Sequence, residues 1–246
     1  MLIKEKERID DLQFRGLRLI QNPESFCFGT DAVLLAHFAA VKKNAVVCDL
    51  GTGTGILPIL LYGRHEFLHC DAVEIQPDMA DMARRSMELN NLTDKISVHC
   101  ADLRNIKDIL PADRYSTVVC NPPYKKSDSG EHNVTENRAL SRHESTCTFS
   151  DVCSAASHLL KSGGRFATVN HADRVADIFE TMRRFRIEPK RIRPVQSRPN
   201  TAPYIVLIEG VKDGKPYMNW EPTLIIYDEN GNESPETKTI YHREGK

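Results

Sequence analysis

No stretch of this chain approaches the ~20 consecutive apolar residues that a membrane-spanning helix requires. Its opening residues, MLIKEKERIDD, lack the apolar core of a secretion signal. Paired cysteines are missing as well. The seven cysteines (Cys27, Cys48, Cys70, Cys100, Cys120, Cys147 and Cys153) are odd in number and form no CxxC pair. That argues against zinc and against a disulfide framework, and for reduced, mostly buried thiols in the cytoplasm. The nine histidines lack ligand spacing, so no metal is expected. An excess of one charge is absent too: the formal net charge is −1, so any contact with nucleic acid must rest on a local basic patch. Repeats and low-complexity segments are absent. What remains is a chain of 246 residues with ordinary soluble composition, enough for one sizeable core with small additions.

From residue 44 onward, short apolar runs alternate with helical patterns. AVVCDL (45–50), LHCDAVEI (68–75), KISVHC (95–100), STVVCN (116–121) and RFATVN (165–170) read as strands. GILPILLYGR, PDMADMARRSMELNN, FSDVCSAASHLLKSGG and residues 173–186 read as helices, the third closed by Gly163 and Gly164. RIEPKRIRPV and PYIVLIEGV add two more strands. This alternation predicts an α/β fold, a doubly wound and largely parallel sheet covered on both faces. Right-handed crossovers then bring every strand-to-helix loop to the carboxyl edge of the sheet, where ligands bind.

The first such loop is CDLGTGTGILP. Gly51, Gly53 and Gly55 have G-x-G-x-G spacing, which lets the backbone turn tightly and approach a ligand. Asp49 ends the strand before them. Glu74 ends the next strand, where a carboxylate can accept both hydroxyls of a ribose. Asp102, after the third strand, can accept from an adenine amino group or simply cap the turn that follows. Together these residues resemble the class I S-adenosylmethionine-dependent methyltransferases. The resemblance implies a Rossmann-like sheet of seven strands with the last antiparallel, and S-adenosylmethionine as cofactor. It implies that the Asp49–Gly55 loop cradles the amino-acid part of the cofactor and that Glu74 holds its ribose, with Ile75, Asp102 and Leu103 beside them.

At the end of the fourth strand the chain reads VVCNPPYKKSD. Two prolines must stop the strand, because neither has an N–H to continue the ladder. In the resembled class, N-P-P-Y marks enzymes that methylate an exocyclic or amide nitrogen. The lone pair of such a nitrogen is delocalised, and an acceptor aimed at its N–H helps localise it. Asn121 supplies a neutral side-chain oxygen and Pro122 a carbonyl. Pro123 stiffens the turn, so both acceptors are held in position. Tyr124 offers a ring face for a planar base, worth ~1–3 kcal/mol.

Three further stretches resemble the bacterial tRNA(Val) adenine-N6-methyltransferase family: SFCFGTDAVLLAHFA (25–39), RALSRHES (138–145) and the tail EPTLIIYDENGNESPETKTIY. The first resembles the segment that covers the cofactor, placing Thr30 and Asp31 there; read from the residues alone, Thr30 caps an amphipathic helix. The expected organisation is one methyltransferase domain: a covering segment at 1–44, a core at 45–211 and a tail at 212–246. The expected substrate is tRNA. Arg183 to Arg198 carries seven basic residues against one acid, Glu188; from this stripe Arg191, Arg193 and Arg198 are candidates for phosphate contacts, with Lys125, Lys126 and Arg142 nearer the N-P-P-Y. Arg142, His143 and Glu144 read as a loop clamp rather than a general base. A protein-glutamine N5-methyltransferase and an rRNA guanine-N2-methyltransferase use the same chemistry, and an RNA-binding protein on a methyltransferase scaffold is the non-enzymatic alternative. Monomer and homodimer are both open at this point.

Overall fold

The computed structural model describes residues 2–24, 29–122 and 147–242. Strands β1 (Arg8–Asp11) and β2 (Arg18–Gln21) pair as an antiparallel hairpin ahead of helix α1 (Thr30–Phe38). There follow β3 (Val46–Leu50), α2 (Ile56–His65), β4 (His69–Glu74), α3 (Pro77–Leu89), β5 (Ile96–Cys100) and β6 (Tyr115–Cys120). Next come α4 (Phe149–Leu159), β7 (Leu160–His171), α5 (Val175–Arg184), β8 (Ile187–Gln196) and β9 (Ile205–Lys212). The tail adds β10 (Asn219–Trp220), β11 (Leu224–Ile225) and α6 (Pro235–Ile240).

The seven longer strands lie in the order β8-β9-β7-β6-β3-β4-β5, all parallel except β9, which runs antiparallel to both neighbours. Seven strands with the last of them antiparallel is the arrangement that the resemblance implies. Two tail strands, β10 and β11, pair in parallel with β8 and bring the sheet to nine. The strand order reverses between β3 and β6, so a crevice opens there at the carboxyl edge. Alternate residues bury into opposite faces. Val47 packs with α1 and α2, while Cys48 and Leu50 pack with α4. Four of the six described cysteines (Cys48, Cys70, Cys120 and Cys153) are buried, and all six are free. Among the described residues no helix is long and apolar enough to cross a membrane.

Three features differ from the sequence expectation. The hairpin β1–β2 lies in a segment with no strand expected, because four-residue strands are too short to show a period. It is clipped to α3 instead: the Ile20 N–H donates to Ser86 Oγ at 3.0 Å, and the Asn90 side chain bonds both N–H and C=O of Arg18. Arg85, with little exposed surface, ties Glu7 and Asp81 together at 2.6 and 2.7 Å. Second, α4 stops at Leu159 and not at the glycines. Leu160 is already extended and begins β7; Gly163, at φ 77°, lies inside that strand, where its pairing with β6 is irregular. Third, Thr30 does not cap α1. Gly29 holds the cap position without a side-chain bond, and six of the nine residues of α1 are buried. A helix buried on most of its faces sits in a core, not on a surface: its apolar residues join Leu224, Ile226 and Ile240 of the tail in one cluster.

Candidate active site

The β3–α2 turn is built by three left-handed glycines, Gly51, Gly53 and Gly55, at φ 76°, 58° and 90°. The turn is locked onto the neighbouring strand: the N–H groups of Gly51 and Thr52 both donate to the Val73 carbonyl, at 2.9 and 3.0 Å. Gly53 N–H donates to Glu74 Oε2 at 2.8 Å, and Gln76 N–H to Glu74 Oε1 at 2.9 Å. Glu74 therefore holds the turn while retaining lone pairs on both oxygens for a ligand. Burial raises its pKa, partly offset by these N–H donors.

The glycines divide into two kinds. A Cβ on Gly51 or Gly53 would point into open space, which is the geometry of a backbone left bare for a ligand. A Cβ on Gly55 would meet Met87 Cε at 2.5 Å. Gly55, expected at the cofactor, serves the close packing of the turn on α3.

Asp49 is almost fully buried, and neither of its oxygens has a hydrogen-bond partner among the described residues. Desolvation pushes its pKa up to about 7; the nearby Thr52 hydroxyl, outside hydrogen-bonding geometry, lowers it and the Glu74 charge raises it. An ion or donor placed against this carboxylate recovers the cost of burying it. Asp49, Gly51, Thr52, Gly53, Thr54, Ala32, Ile56, Leu57 and Asn121 line one cleft, enclosing about 410 Å³ of space partly open to solvent. Asn121 follows β6 directly, so the structure brings the start of the N-P-P-Y to the glycine turn across the β3–β6 crevice. Thr52, Thr54 and Ala32, which carry no site signal of their own in the sequence, lie inside the same motifs and join the cleft.

Other expected residues are placed as follows. Thr30 and Asp31 open α1 immediately before the cleft-lining Ala32, and lie beside Tyr204. Ile75 is a half-exposed apolar side chain just past β4. Asp102 caps the turn that starts at Leu103, accepting from Arg104 N–H at 2.9 Å, and pairs with the Arg104 guanidinium, which lowers its pKa. Its carboxylate is thus engaged as a cap, as the residues alone allow. Pro122 is described; Pro123, Tyr124, Lys125, Lys126, Arg142, His143 and Glu144 lie outside the described residues.

The basic stripe does not lie together at the site. Arg183, Arg184 and Arg186 end α5 and precede β8, at the edge of the sheet opposite the cleft. Arg191 and Arg193 do not fit the expectation of phosphate contacts. Arg191 bonds Glu221 at 2.7 Å, Glu209 at 3.3 Å and the Phe38 carbonyl, and stacks over the Phe38 ring. Arg193, with a side chain only 12 % exposed, bonds Glu236 at 2.6 Å and the Pro222 carbonyl at 3.1 Å. Both fasten the tail to β8. Arg198 alone of the three is exposed and reaches past the carboxyl end of β8.

A buried carboxylate without partners, two glycines facing open space and a second carboxylate across the turn fit the amino-acid and ribose parts of S-adenosylmethionine. The comparisons agree. Residues 24–185 match the model of the methyltransferase small domain. A tRNA1(Val) (adenine(37)-N6)-methyltransferase of Porphyromonas gingivalis is 28 % identical over 238 residues, 92 % of this chain and 91 % of that one. The crystal structure of a predicted O-methyltransferase of Agrobacterium tumefaciens superposes with a TM-score of 0.70 at 23 % identity, covering 86 % of this chain and 95 % of that one. The TYW2 protein of M. jannaschii, in complex with AdoMet, gives 0.57 at 14 % identity over 84 % and 86 % of the two chains. The chain belongs to the methyltransferase small domain family, and its cofactor is S-adenosylmethionine.

Proposed function

We propose that the protein methylates N6 of an adenine in tRNA, and that adenine 37 of tRNA1(Val), named for the Porphyromonas gingivalis relative, is the position to test first. The observation that carries this is the meeting of Asn121 with the Asp49–Thr54 turn in one cleft. Bound there, S-adenosylmethionine supplies a methyl group on a positively charged sulfur. Asp49 holds a cationic group of the ligand, Glu74 its hydroxyls, and Gly51 and Gly53 let the backbone lie against it. Asn121 and the Pro122 carbonyl accept from the target N–H groups, so the amine lone pair points along the line of transfer. The nitrogen would take up that methyl group, with the bonding electrons left on the cofactor's sulfur, and its extra proton would leave to water. No general base is required. Tyr124 stacks on the base; Lys125, Lys126, Arg142 and Arg198 meet phosphates. A tRNA substrate supports a cytoplasmic location.

Unmodified tRNA incubated with methyl-labelled cofactor, then digested to nucleosides, tests this. Label in N6-methyladenosine supports it. Label in N2-methylguanosine, or in protein only, replaces the substrate and keeps the chemistry. Cofactor-independent binding of RNA without transfer removes the enzymatic reading.

A further inference from the structure

The two most exposed large apolar side chains among the described residues, Tyr217 at 77 % and Trp220 at 61 %, lie close together on the outermost strand of the sheet and the segment leading to it. Neither contributes much burial, so neither is there for stability. Tyr217 even holds a φ of 122°, which a non-glycine residue adopts at a cost. Between them Met218 turns inward, packed against the core on the α4 side, and fixes the segment. The Lys190 ammonium sits over the Tyr217 ring at 5.5 Å and donates to the Lys215 carbonyl at 3.0 Å. The charges around this edge are sorted. Glu180, Glu188, Asp213 and Glu221 are ion-paired with Arg184, Arg183, Arg186 and Arg191 at 2.6–2.8 Å. Lys190 and Lys215 have no carboxylate partner in the described structure.

We propose that Tyr217, Trp220, Lys190 and Lys215 form an RNA-docking surface separate from the cleft, with the rings stacking on bases and the two lysines meeting phosphates. This rests on the tRNA reading above. Aromatic faces interleaved with unneutralised cations are what sequence-tolerant RNA binding uses. The distance fits as well. Trp220 of β10 pairs with Ile192 on β8, and β10 lies four strands across from β6, which Asn121 follows directly. At ~4.8 Å per strand that is about 20 Å, the rise of about six stacked base pairs. An RNA with one loop nucleotide in the cleft therefore reaches this edge with neighbouring nucleotides.

Trp220 is the only tryptophan of the chain, so intrinsic fluorescence reports directly on this surface. Titration of wild-type protein with unmodified tRNA should change that fluorescence saturably. Trp220→Ala and Tyr217→Ala should each weaken tRNA binding about 5- to 100-fold, and Trp220→Phe should restore most of it. Lys190→Gln should reduce the log–log salt slope by roughly 0.7–0.9. Cofactor affinity and melting temperature should not move, nor should turnover on a short single-stranded oligonucleotide that cannot span the distance. Several results overturn the proposal. One is tRNA that binds by filter retention and is methylated while Trp220 stays silent. Another is a Trp220→Ala/Tyr217→Ala double variant that binds like wild type. A third is a dimer in sedimentation that is lost in Trp220→Ala, which would assign the patch to a second copy. A wild type that neither binds nor labels tRNA overturns the tRNA reading, and this surface with it.

Discussion

Two buried carboxylates on neighbouring parts of one sheet are treated in opposite ways. Glu209, in the middle of β9, is fully buried and completely engaged: it accepts from Arg165 at 2.5 Å, from Arg191 at 3.3 Å and from the Ala40 N–H at 3.2 Å. Asp49, near the end of β3, is equally buried and has no hydrogen-bond donor among the described residues. One holds the molecule together, joining β7, β8 and the segment after α1. The other leaves a cost of burial standing, which a ligand can remove. Glu209 belongs to the fold and Asp49 to the function, and the contrast makes predictions that run in opposite directions.

The first expected effect is a loss of stability on the engaged side. Glu209→Ala leaves Arg165 and Arg191, both partly exposed, without their shared buried acceptor, and losing charge-assisted hydrogen bonds of this kind costs about 1.5–3 kcal/mol. In a chain of this size that lowers the melting temperature by on the order of 5 °C. Thermal unfolding checks it; an unchanged melting temperature would erase the contrast. Cofactor affinity, measured well below the melting range, should be unchanged.

Next is the chemistry of the cleft. Asn121→Ala should leave the melting temperature alone and lower kcat by ~10²–10³, the loss typical of one preorganised transition-state contact. Cofactor affinity, by calorimetry, should hold. A parallel fall in melting temperature and kcat would mean that Asn121 is a structural residue like Glu209.

Asp49→Asn should do what no engaged residue does: stabilise the protein and disable it. The folded-state pKa of Asp49 is raised, so the folded protein binds its proton more tightly than the unfolded chain. Stability is then lost as pH rises from about 4, the unfolded value, to about 7, the folded one, and the whole loss stands above pH 7. Asparagine does not ionise, so the variant escapes it. At pH 8 without cofactor the gain should be on the order of 4 kcal/mol, and at pH 4 it should nearly vanish, while cofactor binding is lost at both. A variant less stable than wild type at pH 8 would show that Asp49 is paired after all.

Much of this contrast was legible in the chain, but only one half of it. The strand before GTGTG, the acid ending the next strand and the N-P-P-Y each carry their chemistry in adjacent residues, and the sheet order then brings Asp49, Gly51, Gly53, Glu74 and Asn121 to one edge. What escaped was pairing across long sequence distances. Arg191 and Arg193 looked like free cations because their partners Glu209, Glu221 and Glu236 lie 18 to 43 residues away, and no spacing announces them. The hairpin at Arg8–Gln21 and the two-residue tail strands are too short for alternation to register. Gly55 could not be told from Gly53 without Met87 in view.

The smallest effect is the most direct reading of Asp49. If its carboxylate receives a cationic part of the cofactor, binding must favour the ionised form, and the pKa of Asp49 in the complex must fall below the value of about 7 in the free protein. Above pH 7 the carboxylate is already ionised and affinity is at its full value. Below pH 7 the free protein must first lose a proton, so affinity falls as pH drops, by at most tenfold per unit, until the pKa of the complex is reached. Binding at pH 6.5 should therefore release a fraction of a proton. Calorimetry in two buffers of different ionisation enthalpy measures that number directly, and the slope of log affinity against pH must agree with it. In Asp49→Asn any residual binding should show neither effect. Glu74, whose pKa burial also raises, is the group of the described cleft that could imitate the slope, and Glu74→Gln separates the two: it should weaken binding but keep the proton release. An affinity independent of pH between 5.5 and 8 would mean that the cofactor leaves Asp49 as it found it, and that its burial serves some purpose other than the ligand.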